Sequence, residues 1–238
     1  TIVLLKNQGN LLPLTEAKLV DQESILVVGE LAQKPRYQGS GSSQVNPTRL
    51  DTHYQALEDK FSQQLKVHYT PGYSSEAEFE ENENLKEKAL RVAENKDYII
   101  IYAGLPDKVE AEGYDRDDLQ LPAEQNRLIK ELAAANPNII VVLNNGSAVD
   151  LRQWIDRVSA VIEAGLPGQA GALALADIIA GELNPSAKLA ESYALKLEDN
   201  PSYLNFPGNK NSVRYGEGIY IGYSYYNKKK MEVLFPFG

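Results

Sequence analysis

The chain has 238 residues, 43% of them hydrophobic, which is enough apolar mass to bury one sizeable core. A formal net charge of -9 argues against a nucleic-acid partner, because that affinity comes from clustered Lys and Arg. With no cysteine, disulfides, thiolate metal sites and cysteine nucleophiles are excluded together.

In chain order, the run Ile25-Leu26-Val27-Val28, closed by Gly29, reads as a buried strand, and Lys66 to Thr70, stopped by Pro71-Gly72, as a second. Between them Tyr54, Leu57 and Phe61 recur at helical spacing and predict an amphipathic helix over residues 51 to 63. The stretch Glu76 to Asn95, rich in Glu and Lys, places Phe79, Leu85, Ala89, Leu90 and Val92 on the dry side of a half-exposed helix. A strand over residues 97 to 103 and a helix from Pro122 to Ala135 follow, with Pro122 suited to the first helical position. Two more short strands, Ile139 to Leu143 and Ala160 to Ala164, precede a very apolar helix that enters through Pro167-Gly168 and closes at Gly181. Strands alternating with helices predict an α/β fold: a mostly parallel sheet sandwiched between helices, three layers in the flavodoxin-like manner, with right-handed crossovers. Beyond Asn184-Pro185-Ser186 the pattern gives way to turn residues and tyrosines, so residues 190 to 238 are expected to wrap the single domain as an irregular tail.

Between Gly104 and Leu121 no periodic pattern survives, and Asp107, Glu110, Glu112, Asp115, Asp117 and Asp118 crowd the stretch. This loop leaves the carboxyl end of a buried strand, the edge where open α/β sheets bind ligands. The same edge should gather residues 39–43, 144–147 and 166–169, which are mostly small and polar. Gly39-Ser40-Gly41-Ser42-Ser43 matches neither phosphate-loop spacing. His53 and His68 lack ligand-like spacing to carboxylates, so no metal site is expected. No Gly-x-Ser-x-Gly elbow is present, and Lys228-Lys229-Lys230 reads as a solvated turn. By composition alone Glu112 is either a solvated loop acid or a catalytic one.

The ordered blocks Thr1-Ile2-Val3-Leu4-Leu5-Lys6-Asn7, Gly41-Ser42-Ser43-Gln44-Val45-Asn46-Pro47, Glu110-Ala111-Glu112-Gly113-Tyr114-Asp115-Arg116, Leu166-Pro167-Gly168-Gln169, Asn184-Pro185-Ser186 and Tyr215-Gly216-Glu217-Gly218-Ile219-Tyr220 run the length of the chain. Together they resemble the C-terminal α/β sandwich domain of family 3 glycoside hydrolases, the β-glucosidase-like enzymes. Val109, Ala187 and Ala190 depart from the commoner pattern, which has an aromatic, Gly and Pro there. The resemblance implies a retaining β-glycosidase acting on terminal β-D-glucosyl residues, without a cofactor, in an active site shared by two domains. A barrel domain, absent from this chain, supplies an Asp nucleophile and most of the sugar pocket. The sandwich lends a Glu as general acid/base, here Glu112, with Glu110 as the fallback. Arg116 is expected to oppose, and Glu110 to assist, a raised proton affinity at Glu112.

The partners so implied are a β-glucoside and the barrel, with neither nucleic acid nor membrane. Thr1 in the place of an initiator Met suggests a native start further upstream, and the lack of cysteine fits a cytoplasmic setting. The tyrosine-rich tail raises an alternative, a non-catalytic carbohydrate-binding or interaction module, since sugars stack on exposed rings. Packing of an irregular segment is the plainer account of those tyrosines.

Overall fold

Apolar runs with no polar alternation can be strands only where both faces are covered. In a computed structural model, which describes residues 1–74 and 82–238, β1 is Val3–Asn7, β2 Ser24–Val28, β3 Lys66–Thr70, β4 Tyr98–Gly104, β5 Ile139–Asn144 and β6 Ala160–Glu163. Every residue of β2, β4, β5 and β6 is buried. These strands form one six-stranded sheet in the order β1-β6-β5-β4-β2-β3. All neighbours pair in parallel except β1, which lies antiparallel along β6.

Helix α1 is the single turn Glu16–Leu19; α2 spans His53–Phe61, α3 Glu83–Ala93, α4 Ala123–Ala135 and α5 Gly171–Ala180. Helix α2 packs on α5 and α3 on α4, and right-handed crossovers put the two pairs on opposite faces of the sheet. Thr52 caps α2 by accepting the Gln55 N–H at 3.1 Å. Gly181 closes α5 in the left-handed conformation, φ 87°, where a side chain is strained. The three-layer reading of the sequence therefore holds, and β2 to β6 follow flavodoxin-like order with β1 added at the edge.

Three differences have physical causes. The opening segment is a strand that only its paired position betrays: every β1 residue is half-buried, and the ladder slips between Leu4 and Lys6. Pro122 stands one residue before α4, in an extended conformation at φ -47°, ψ 137°, and serves as its N-cap. The acidic helix begins at Glu83, where the Asn82 side chain accepts the Leu85 N–H at 3.2 Å; the predicted start from Glu76, with Phe79, lies outside the described residues.

The tail is more regular than its turn-rich composition predicts. It carries β7 Tyr193–Ala194, α6 Tyr223–Lys229 and β8 Val233–Phe235, with β7 and β8 paired antiparallel. Tyr226 is buried, but Tyr215, Tyr220 and Tyr223 are exposed, so packing accounts for only part of the tyrosine content. Lys228 and Lys229 end α6 over the rings of Tyr220 and Tyr225. No helix among the described residues is long and apolar enough to cross a membrane.

Candidate active site

The chain reverses its winding direction between β2 and β4: the connection after β2 runs outward to β3, and the one after β4 runs the other way to β5. Loops leaving a sheet at such a switch point diverge and leave a crevice between them. Here those loops are residues 29–52 and 105–121. Gly29 permits the first departure, since its φ of 116° and a Cβ position only 2.2 Å from the Tyr102 carbonyl oxygen exclude any side chain.

The two loops touch through a parallel bridge between Ser40 and Ala111. Just past this bridge, the Ser42 hydroxyl donates to Glu112 Oε2 at 2.5 Å, and the Ser42 N–H approaches the same oxygen at 3.4 Å. Glu112 is exposed. These hydrogen bonds stabilise the ionised form and hold the carboxyl below its usual range. The expectation that Arg116 and Glu110 set this proton affinity is corrected: Arg116 turns away and donates to Ser147 Oγ at 3.0 Å and the Ala148 carbonyl at 2.7 Å.

Glu110 differs in every respect. Arg36, whose side chain is 5% exposed, donates to Glu110 Oε2 at 2.5 Å and to its carbonyl at 2.9 Å, while its Nε reaches Asp107 at 2.9 Å. The Gly146 N–H donates to Oε2 at 2.7 Å and the Ser147 hydroxyl to Oε1. A Cβ at Gly146 would sit 3.3 Å from this carboxylate, so glycine lets the backbone approach. Glu110 thus ties together the loops after β2, β4 and β5, and both its oxygens are already engaged. The loop after β6 joins the same edge, with the Gly168 N–H on the Tyr37 carbonyl at 2.8 Å and Gln169 reaching Thr48 at 3.5 Å. All three gathered loops are therefore where the sequence places them.

Sequence reasoning missed Arg36, Ser42 and Ser147 as partners of the two acids, because nothing local in Lys34-Pro35-Arg36-Tyr37 announces a bond across 74 residues. Behind the loop opens a cleft of about 560 Å³ lined by Val109, Tyr114, Asp117, Gln120, Asn126 and Gln153, among others; Glu112 is not on its wall. Val109, where the resemblance leads one to expect an aromatic, packs against the core.

Beneath the edge lies Glu163, which accepts from the Gly165 N–H at 2.8 Å, Asn145 Nδ2 at 3.2 Å and the Tyr193 hydroxyl at 2.7 Å. Burial pushes its carboxyl up to about 7. His53, stacked on Tyr102 with ring centroids 4.5 Å apart, is pushed down to about 4 by burial. The two slopes oppose each other. His53 binds its proton more weakly folded than unfolded, so its contribution is full above pH 6.5 and is lost toward pH 4. Glu163 binds more tightly folded, so its contribution is full below pH 4.5 and is lost as pH rises to about 7. Each is worth roughly 3 kcal/mol over its window. In Glu163→Gln the falling contribution disappears. Denaturant unfolding of this chain should show the variant gaining roughly 3 kcal/mol on the parent between pH 4.5 and 7.5. Parallel profiles for the two proteins would contradict the buried, proton-holding state of Glu163.

Residues 2–223 match the family model described as the glycosyl hydrolase family 3 C-terminal domain. The chain is 47% identical, over all of its 238 residues, to thermostable beta-glucosidase B of Acetivibrio thermocellus, of which it covers 31%. It is 40% identical over 242 aligned positions to an exo-alpha-(1->6)-L-arabinopyranosidase of Bifidobacterium longum, again covering all of this chain and 31% of that enzyme. Among solved structures, a family 3 beta-glucosidase of Bifidobacterium adolescentis superposes with a TM-score of 0.90 at 39% identity, over 99% of this chain and 33% of that one. The chain spans about a third of the length of these relatives.

Proposed function

Since this chain belongs to the C-terminal domain family of the family 3 glycosyl hydrolases, we propose that it is the acid/base-bearing domain of a longer retaining β-glycosidase, a β-glucosidase. The observation that carries the reading is the contrast between its two loop acids. Glu110 is spent on Arg36, Gly146 and Ser147, whereas Glu112 stands exposed at the switch-point crevice with, among the described residues, only Ser42 on one oxygen.

A retaining glycosidase needs two carboxyl groups about 5 to 5.5 Å apart, one attacking the anomeric carbon and one protonating the leaving oxygen, then deprotonating water. Glu112 takes the second role. Its lowered proton affinity in this chain by itself suits a carboxylate still open to water. Docking of a second domain that brings a carboxylate nucleophile would exclude that water and place a like charge nearby; both changes raise the affinity toward what a general acid needs. Glycone choice rests with the pocket of that second domain, which accommodates the difference between a glucosidase and an arabinopyranosidase among the relatives.

Two outcomes follow. This chain alone turns over no aryl β-glucoside, because it lacks the nucleophile; purified turnover that vanishes in Glu112→Ala would refute that. In the longer polypeptide, Glu112→Gln removes the basic limb of the pH dependence of kcat/KM, since that limb reports the acid losing its proton. A Glu112→Gln enzyme that keeps the parental basic limb would end the acid/base assignment.

A further inference from the structure

We propose that residues 201–222 form a clasp that closes over the nucleophile-bearing domain of the same polypeptide. The inference rests on the reading above, that such a domain approaches Glu112. None of this arm's residues belongs to the core formed by the described residues. Leu204 is 91% exposed, Ile219 83%, Tyr215 82%, Ile221 61% and Phe206 57%. The arm's backbone hydrogen bonds stay local, such as Asn205 and Phe206 N–H on the Ser202 carbonyl, Asn209 with Ser212, and Tyr220 N–H on the Glu217 carbonyl. Apolar surface on this scale, held in a defined path and facing water, marks a contact with another body.

The location of the arm selects the body. Its root is β7, where the Tyr193 hydroxyl donates to Glu163. Asn145 binds the same Glu163 carboxylate, and two residues on, Ser147 binds Glu110. The arm therefore springs from the edge that carries Glu112, and a domain bringing a nucleophile to Glu112 meets the arm on approach. Relatives extend over roughly twice this chain's length beyond the part it covers, and a tethered domain competes at high effective concentration against any free partner.

A sugar is the weaker occupant. Tyr223 already stacks on Phe237 at 4.7 Å and 17°, and Tyr220 carries Lys228 over its ring. Tyr215 and Phe206 keep bare rings, but they stand with Leu204, Ile219 and Ile221, aliphatic side chains that bury against protein and offer a sugar no face to stack on.

The test is hydrogen exchange and limited proteolysis of the longer polypeptide, at concentrations where sedimentation shows a monomer. Amides of residues 203–221 should exchange roughly a hundredfold more slowly than in this chain alone and resist cleavage. In the double variant Leu204→Lys, Ile219→Lys the arm should become cleavable. Its kcat/KM on an alkyl β-glucoside should fall by roughly a hundredfold through misplacement of Glu112, with the circular dichroism of the protein unchanged. A freely cut arm in an active monomer would overturn the proposal. Protection lost on dilution of a dimer would overturn it in favour of a second copy, and protection that needs an added oligosaccharide would overturn it in favour of sugar binding. A protected arm in an enzyme whose Glu112→Ala variant still hydrolyses alkyl glucosides would uphold the clasp and end the acid/base reading, so the two fail separately.

Discussion

Glu112→Ala in the longer polypeptide lowers kcat/KM for an alkyl β-glucoside by roughly a hundred- to ten-thousandfold, the range supplied by a positioned general acid. The same substitution costs far less on a dinitrophenyl glucoside. An alkoxide is a poor leaving group and departs only as its oxygen gains a proton; a dinitrophenolate departs without one. The loss should therefore grow with the pKa of the leaving alcohol, which a merely destabilising substitution would not produce. Glu112 is exposed and, among the described residues, makes its bonds only to Ser42, so its removal leaves the fold intact and the melting temperature nearly unchanged. Equal losses on both substrates would count against Glu112 as the acid.

The second large effect is on stability, and it falls at Glu110. In Glu110→Ala the Arg36 guanidinium, 5% exposed, keeps Asp107, itself 59% exposed, as its one charged partner among the described residues. The Gly146 N–H and the Ser147 hydroxyl also lose their acceptor. Removing one partner of a buried ion pair costs about 3 to 5 kcal/mol. Taking the lower figure, because Glu110 itself is 16% exposed, the melting temperature of this chain should fall by roughly 6–12 °C. A shift within 1 °C, roughly the scale of a surface substitution, would mean that the loops after β2, β4 and β5 are not held through this carboxylate.

How far the sequence alone reaches can be judged from particular elements. Strands β2, β4, β5 and β6 are legible because a strand covered on both faces is a contiguous apolar run, and such runs end visibly at Gly29, Gly104 and Asn144. Edge strand β1 is not, since half-burial on every residue and a slipped ladder erase both the alternating and the continuous pattern. Strand β7 has two residues, too few for any period to register. The gathering of four loops at one edge follows from parallel strand direction, which composition and rhythm imply. The separate duties of the two acids do not follow. Glu110 and Glu112 lie two residues apart in the same polar loop, and what distinguishes them is an arginine 74 residues away and a serine from a loop after another strand. Long-range polar partners leave no local trace, so the resemblance points to Glu112, while the geometry alone supplies a reason why its neighbour is unavailable.

The most direct measurement is azide rescue of Glu112→Ala in the longer polypeptide, with a dinitrophenyl β-glucoside as substrate. Without a general base, water attacks the glucosyl-enzyme slowly, whereas azide is a nucleophile that needs no deprotonation. Added azide should raise turnover, and the product should be β-glucosyl azide, because the second displacement inverts what the first inverted. Failure of azide to accelerate Glu112→Ala, together with acceleration and β-glucosyl azide from Glu110→Ala, would move the acid/base role to Glu110 and contradict this account.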